Sequence, residues 1–234
     1  VWDAFKDDEA NKDLISSNTY WKYEANFTQH GKEWEKPVHV DFIEGDGKLG
    51  FSEDMGMRIT GKASRAAVQK SLKFYARKEY GSGKVGYELI PDAKTSTGSA
   101  ITKYDTFVIR NGANDNQGTK FRDPCLQELV KDRDFETQQG RPVIAFIDGE
   151  FWGVYSLLSR IDEYYLSSKF GIDIDDIAFL KINHFAEGEA QTIQSYDELV
   201  DFLTTADMSI ADNYRQACEQ IDIQSMIDCY VTNI

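Results

Sequence analysis

The chain has 234 residues, of which 41% are hydrophobic and 13% aromatic, a composition that suits a folded globule and excludes a disordered chain. A formal net charge of −14 leaves no basic surplus to displace counterions from a nucleic acid or to hold an anionic membrane surface. No apolar stretch is long enough to span a bilayer and no signal peptide opens the chain, so neither nucleic-acid binding nor membrane insertion is expected.

The chain opens on Val1 and its last residues read as mid-helix, so both ends are expected to be cuts in a longer protein. Residues 1–36 are polar and aromatic without a sustained period and read as a lead-in that packs Trp2, Tyr20, Trp21 and Trp34 onto a domain. From residue 37 to 158 the pattern is strand-rich. Alternation over residues 38–43, then turn residues at 44–47, predicts a strand entering a hairpin. Residues 55–60 and 71–77 alternate again, separated by a loop at 61–65 that leads into a helical turn. A further strand is expected at 104–110, followed by a polar loop at 111–118. Asp123-Pro124 reads as N-cap and first position of a helix over 125–131, with Leu126, Leu129 and Val130 on its apolar face. Asp148-Gly149, between apolar runs at 142–147 and 151–157, is the strongest hairpin signal in the chain.

Residues 159–234 form a connector and a helix-rich part. Residues 160–170 are helical and stop at Gly171, a short strand is expected at 177–182, and helices follow over 196–203, 210–221 and from 223 onward. Strands first and helices after make an α+β fold of two lobes, the second incomplete.

The chemistry-bearing features are few. Cys125, Cys218 and Cys229 make no disulfide framework, and His30, His39 and His184 have no partner at metal-ligand spacing. Asn26 opens a formal glycosylation triplet, which is weak evidence on its own. Asp173, Asp175 and Asp176 are too closely spaced for a calcium loop and read as a solvated turn. No G-x-S-x-G elbow or H-E-x-x-H occurs, and no histidine stands beside a nucleophile in the sequence. Gly45, Gly47 and Gly50 form a G-x-G-x-x-G, but a strand follows it where a dinucleotide fold needs a helix. That leaves a kinase-type glycine loop or an ordinary hairpin turn. More informative is the segment from Arg58 to Lys73, which gathers Arg58, Gly61, Ser64, Arg65, Lys70 and Lys73 in an acidic protein. A glycine-bearing loop with nearby cations is suited to phosphate, and it is equally suited to a solvated basic hairpin.

The run Met57-Arg-Ile-Thr-Gly61-Lys-Ala-Ser-Arg65, followed by Gln69-Lys-Ser-Leu-Lys-Phe74, resembles the signature of the spore coat protein H (CotH) kinase-like family. Phe107-Val-Ile-Arg-Asn-Gly112 with Asp115, Arg122-Asp123, and Arg141-Pro-Val-Ile-Ala-Phe-Ile-Asp-Gly149-Glu-Phe-Trp-Gly153-Val-Tyr155 match it in order. The resemblance implies an atypical protein-kinase-like fold that binds ATP and magnesium and phosphorylates protein Ser or Thr, outside the cell or at its surface. In that scheme Lys70 is the first candidate for the phosphate-pairing lysine and Lys73 the second, both in the strand after the loop, with Ser64 and Arg65 in the phosphate loop. Glu128 or Asp123 is the acid that would pair with the lysine. Ser159 stands where the family usually carries a glutamate near the adenine connector. The catalytic and metal-binding aspartates are expected beyond Ile234, so no catalytic or metal residue is assigned within the chain. The alternative is a non-catalytic surface or adhesion module that keeps the fold.

Overall fold

The computed structural model describes residues 25–91, 93–181, 184–187 and 190–233. The expectations for Trp2, Tyr20, Trp21 and Ile182 lie outside these residues. Alternation sets the strands: in β1 (Lys36–Ile43), Val38, Val40 and Phe42 turn inward while Pro37, His39 and Asp41 are exposed. The chain then makes β2 (Leu49–Thr60), β3 (Ser71–Tyr75), β4 (Thr106–Arg110), β5 (Gly140–Ile147) and β6 (Glu150–Leu158). These form one antiparallel sheet in the order β1-β2-β3-β4-β6-β5. A second, two-stranded sheet pairs β7 (Phe179–Lys181) with β8 (His184–Glu187). The described helices are α1 (Arg122–Leu129), α2 (Glu163–Phe170), α3 (Ala190–Thr205), α4 (Ala211–Gln220) and α5 (Ile223–Thr232). The fold class is α+β, as the element order implies. No described helix is long and apolar enough to cross a membrane.

The chain divides into two units. The first takes in the chain up to residue 93, residues 100–125 and residues 139–160. Its sheet curls until the edges approach: Arg141 of β5 stacks 4.7 Å over the Phe42 ring of β1 and forks onto Glu44 at 2.7 and 3.1 Å. The inside of the curl is aromatic. Phe74 stacks on Phe107 at 4.8 Å, Phe107 meets Phe51 edge-on, and Phe51 stacks on Phe42 at 5.5 Å. Tyr87, in the irregular stretch after β3, packs on Phe42 and Phe51, and the same stretch buries Val85, Leu89 and Ile90 completely. Both edge strands carry a proline, Pro37 and Pro142, which blunts their capacity to pair further.

The Gly45–Gly47 stretch closes the β1–β2 hairpin, with Gly47 N–H donating to Glu44 and Glu44 N–H to Lys48. The triplet lies in a strand–turn–strand, the context that both of its readings share. At β5–β6, Asp148 and Gly149 both take positive φ, 51° and 81°, as a two-residue hairpin of type I′ requires.

The second unit comprises residues 94–99, 126–138 and 161–234. Asp162 caps α2 by accepting from Tyr165 N–H, and Gly171 ends that helix. Glu136 ties the same helix from its side, accepting from Tyr165 Oη at 2.9 Å and Lys169 Nζ at 2.7 Å. Asp222 caps α5 through Ser225 N–H. The acidic run at 173–176 is a single 3-10 turn in which Asp173 accepts from Asp175 N–H. Helix α1 starts at Arg122, ahead of the expected start, and buries none of its residues: Leu126 and Leu129 are exposed.

Candidate functional site

The pairing of β2 with β3 sets Arg58 opposite Lys73 and Gly56 opposite Tyr75. Directly opposed residues share a sheet face, so Arg58, Lys73 and Tyr75 stand together on the face away from the aromatic core. Three cations converge on the Tyr75 ring: Arg58 at 4.2 Å, Lys73 at 4.6 Å and Arg77 at 4.9 Å. Lys73 is buried although it is a lysine. Burial pushes the Tyr75 phenol pKa up, against the opposing pull of Arg58.

Among the described residues, two carboxylates meet Arg77 of this cluster: the buried Glu35, and Glu79 at 3.9 Å. Glu35, just ahead of β1, has a side chain with 0% exposure and accepts from Arg77 Nε at 2.9 Å and Arg77 Nη2 at 3.4 Å. Burial works against the Arg77 charge, but the hydrogen bond and charge of Glu35 outweigh it and raise the Arg77 pKa. Arg58 Nε lies 3.4 Å from the Glu35 oxygen that Arg77 Nη2 also reaches, outside hydrogen-bond geometry, and is a buried donor with no acceptor among the described residues. Such a donor forgoes about 1–3 kcal/mol until something accepts from it.

The loop from Gly61 abuts this cluster. Gly61 takes φ +109°, which favours glycine, and a Cβ there would come within 2.3 Å of Ser64 Oγ and turn that hydroxyl away. A 3-10 turn, Ala63–Ala66, follows. Arg65 is buried and fixes backbone: Nε donates to the Gly61 carbonyl at 2.6 Å and Nη1 to those of Gln29 at 2.9 Å and Phe27 at 3.3 Å. Burial and then the charge of Arg58 lower the Arg65 pKa, and the same two arginines lower His30 after burial does, so this end of the unit is electropositive. Lys70 lies one residue ahead of β3, not within the strand as the sequence suggests. Its ammonium donates to the Arg65 carbonyl at 2.8 Å over the Phe27 ring, and burial lowers its pKa. Ser64 lines a different space, a cavity of about 650 Å³ between residues 63–69 and 113–120 that Gln69, Asn116 and Lys120 also border. The four predicted phosphate residues are thus divided: Lys73 on the sheet face, Arg65 and Lys70 on backbone, and Ser64 on the cavity.

The acids expected beside the lysine have other partners. Asp123 sits inside the first turn of α1 and pairs with Arg110 of β4, so it is not that helix's cap. Asp115 takes over part of the capping, accepting from Arg122 N–H, Thr119 N–H and Thr119 Oγ1, with Arg122 Nη2 at 3.3 Å. The Thr119 hydrogen bond foremost lowers the Asp115 pKa. Glu128 pairs with Lys131, two residues past the end of that helix. Asn111 is wholly buried and pins the polar loop to the entry of β3, accepting from Ser71 Oγ at 2.9 Å and donating to the Gln69 carbonyl at 2.6 Å. Ser159 is buried directly after β6 and donates to the Gln139 carbonyl from both N–H, at 3.0 Å, and Oγ, at 3.3 Å.

One constellation escapes linear reading. Cross-strand pairing sets His39 opposite Asp54 and Asp41 opposite Ser52. His39 Nδ1 lies 2.7 Å from Asp54 and Nε2 lies 2.9 Å from Ser52 Oγ, the order of a Ser–His–Asp triad. The expectation that no histidine stands beside a nucleophile is therefore corrected. Yet Ser52 Oγ donates to Asp41 at 2.7 Å, so its proton is committed and Nε2 must donate rather than accept. The network is a hydrogen-bonded imidazolium on an exposed hairpin, not a base poised to activate serine.

Glu35, Tyr75 and Arg77 are the site residues that sequence reasoning missed. Glu35 lies 42 positions from Arg77, and no periodicity links the two. Among the described residues, no group of three His, Cys, Asp or Glu side chains is placed to hold a metal ion. No curated protein matches the chain. The family described as CotH kinase protein matches residues 57–234. The match begins one residue ahead of Arg58, takes in the loop, Lys73, Arg110 with Asp123, and the β5–β6 hairpin, and leaves Glu35 outside. It spans well over half of the chain, and the chain belongs to the CotH kinase protein family.

Proposed function

We propose that the strand-rich unit binds the phosphates of ATP, and that the protein to which it belongs is an atypical, protein-kinase-like enzyme that phosphorylates protein Ser or Thr. The observation that carries this reading is the pairing of Arg58, whose buried Nε has no acceptor among the described residues, and Lys73 across one sheet face. A phosphate oxygen is the acceptor that such a donor lacks, and two adjacent cations match its charge. The order of glycine loop, cation-bearing strand, helix, hairpin and connector also agrees with a kinase-like N-lobe. Lys73 is the favoured phosphate-pairing lysine, because it lies within β3 directly opposite Arg58, whereas Lys70 lies ahead of the strand. Arg65 keeps the loop in shape through the carbonyls of Gly61, Phe27 and Gln29. Ser159 holds the start of the connector to Gln139. Magnesium, when bound with the nucleotide, supplies neutralisation of the phosphate charge. In this reading the aspartates that hold it and orient the acceptor hydroxyl come later than residue 234, and the protein works outside the cell or at its surface.

Isothermal titration of the protein with Mg·ATP tests the reading. Measurable affinity is expected, and Lys73→Ala should weaken it at least about tenfold, the loss typical of one charge-assisted contact. No affinity with either Mg²⁺ or Mn²⁺ would sink the proposal.

A second reading, a binding or adhesion module that keeps the fold, is favoured by the β5–β6 hairpin. There Ile144, Phe146 and Phe151 are each more than 60% exposed, with Trp152 and Val154 beside them. In that case partner binding survives Lys73→Ala and is lost in Phe146→Ala.

A further inference from the structure

We infer that Glu35 is the positioning carboxylate of the Arg58–Lys73–Arg77 cluster, doing from the segment ahead of β1 what a helix glutamate does for the strand lysine of a typical kinase. The inference rests on the nucleotide-binding reading of that cluster. In protein kinases the acid comes from the helix after the lysine strand. Here both acids of helix α1 are engaged elsewhere, Asp123 with Arg110 and Glu128 with Lys131. Among the described residues, the buried carboxylate at these cations is Glu35, N-terminal to the stretch that the family match covers, whereas the half-exposed Glu79 comes no nearer to Arg77 than 3.9 Å.

Three features distinguish positioning from mere ion pairing. First, Glu35 has no solvent exposure and spans two elements, reaching Arg77 beyond β3 through both oxygens, at 2.9 and 3.4 Å, and Arg58 on β2 through the second of them at 3.4 Å. Second, the fold keeps room for it. Gly56 faces it, and a Cβ there would stand 2.5 Å from Glu35 Oε1 and 2.6 Å from the Tyr80 ring. Any side chain at position 56 would push the carboxylate away. Third, the energetics do not favour a purely stabilising role. A buried ion pair gains little over a well-packed apolar substitute, because desolvation offsets the attraction. What an apolar substitute cannot do is hold like charges together. Arg58, Lys73 and Arg77 all lie within 5 Å of one phenol ring and repel one another, and Glu35 is the anion at their base. It holds the Arg77 guanidinium by two hydrogen bonds and draws that of Arg58 toward Tyr75 by charge, and so biases where Arg58 Nε points.

The competing expectation has the opposite sign. A carboxylate 3.4 Å from Arg58 could instead compete with phosphate, and removing it would then tighten anion binding. Titration of the full chain and of Glu35→Gln with Mg·AMP-PNP, well below the melting temperature, separates the two. Alongside it, ¹⁵N spectra of the arginine Nε–H groups report whether Arg58 and Arg77 are held. Positioning predicts binding weakened about tenfold in Glu35→Gln, with both arginine signals losing dispersion. Glu35→Asp, which keeps the charge and shortens the reach, should fall between the two and decides the matter if Glu35→Gln does not fold. Unchanged or tighter binding in the altered chain overturns the inference. If the unaltered chain takes up no nucleotide, the nucleotide reading fails instead, and the arginine signals alone decide. Held in the unaltered chain and released in Glu35→Gln they support positioning; alike in both they overturn it.

Discussion

His39 shows how much a single side chain owes to its cross-strand neighbours. Its two ring nitrogens face an Asp54 carboxylate and a Ser52 hydroxyl whose proton goes to Asp41, so both nitrogens donate and the ring is held as a cation. The Asp54 hydrogen bond, ahead of the charges of Asp41 and Asp54, raises the His39 pKa above 6.5. Because the folded value is the higher one, the stabilisation is complete below pH 6.5 and is lost as the pH rises through the folded value. The melting temperature of the protein should therefore exceed that of His39→Asn by more at pH 6 than at pH 9, to take pH values about either side of neutrality. A difference that stays constant across that range would rule out the charged network. Both partners are more than half exposed, so the difference should also shrink in high salt.

The β5–β6 hairpin is the element whose local chemistry speaks most clearly. Asp148 and Gly149 supply the two positive φ angles that match the twist of the flanking strands, and eight cross-strand positions follow in register, interrupted by one bulge. Gly149→Ala forces a Cβ into the left-handed region, with a cost of about 1 kcal/mol. Urea unfolding should show that loss, and hydrogen exchange should quicken first in β5, the edge strand. Loss of protection spread evenly over the whole sheet would argue against a locally strained turn. Helix α1 behaves differently. Its expected apolar face is exposed, and what anchors its start is Asp115 from the preceding loop together with the Arg110–Asp123 pair. Helical periodicity and an Asp-Pro start told of a helix, but an apolar stripe does not say whether anything covers it.

Over the whole molecule the charge balance matters most: 40 acidic residues face 26 basic ones. Self-repulsion among the acids opposes compaction, and salt screens it over a Debye length of about 10 Å at 0.1 M. Raising sodium chloride from about 10 mM to about 300 mM should raise the melting temperature; a fall would mean that the specific ion pairs outweigh the net repulsion. Against this acidic background the gathering of Arg58, Arg65, Lys73 and Arg77 in one unit is a deliberate local reversal of sign. It depends on sheet pairing and curl, which bring β2, β3 and the segment before β1 together.

Residues 1–24 aside, the sequence alone determined the fold class, the order of the main strands, the β5–β6 turn, the end of α2 at Gly171 and the family. Each rests on a short-range rule: alternation, a pair of positive φ angles, a cap, or a motif of fixed spacing. It also marked the basic segment from Arg58 to Lys73 as the place to look. Tertiary structure alone decided which cations meet on one face, that Lys70 and Arg65 hold backbone, that Asp123 serves Arg110, and that the buried Glu35 pairs with Arg77. The reason is physical. A strand's side chains alternate between faces, so which residues meet depends on register and on the neighbouring strand. Register is a property of the whole sheet, and no window along the chain contains it.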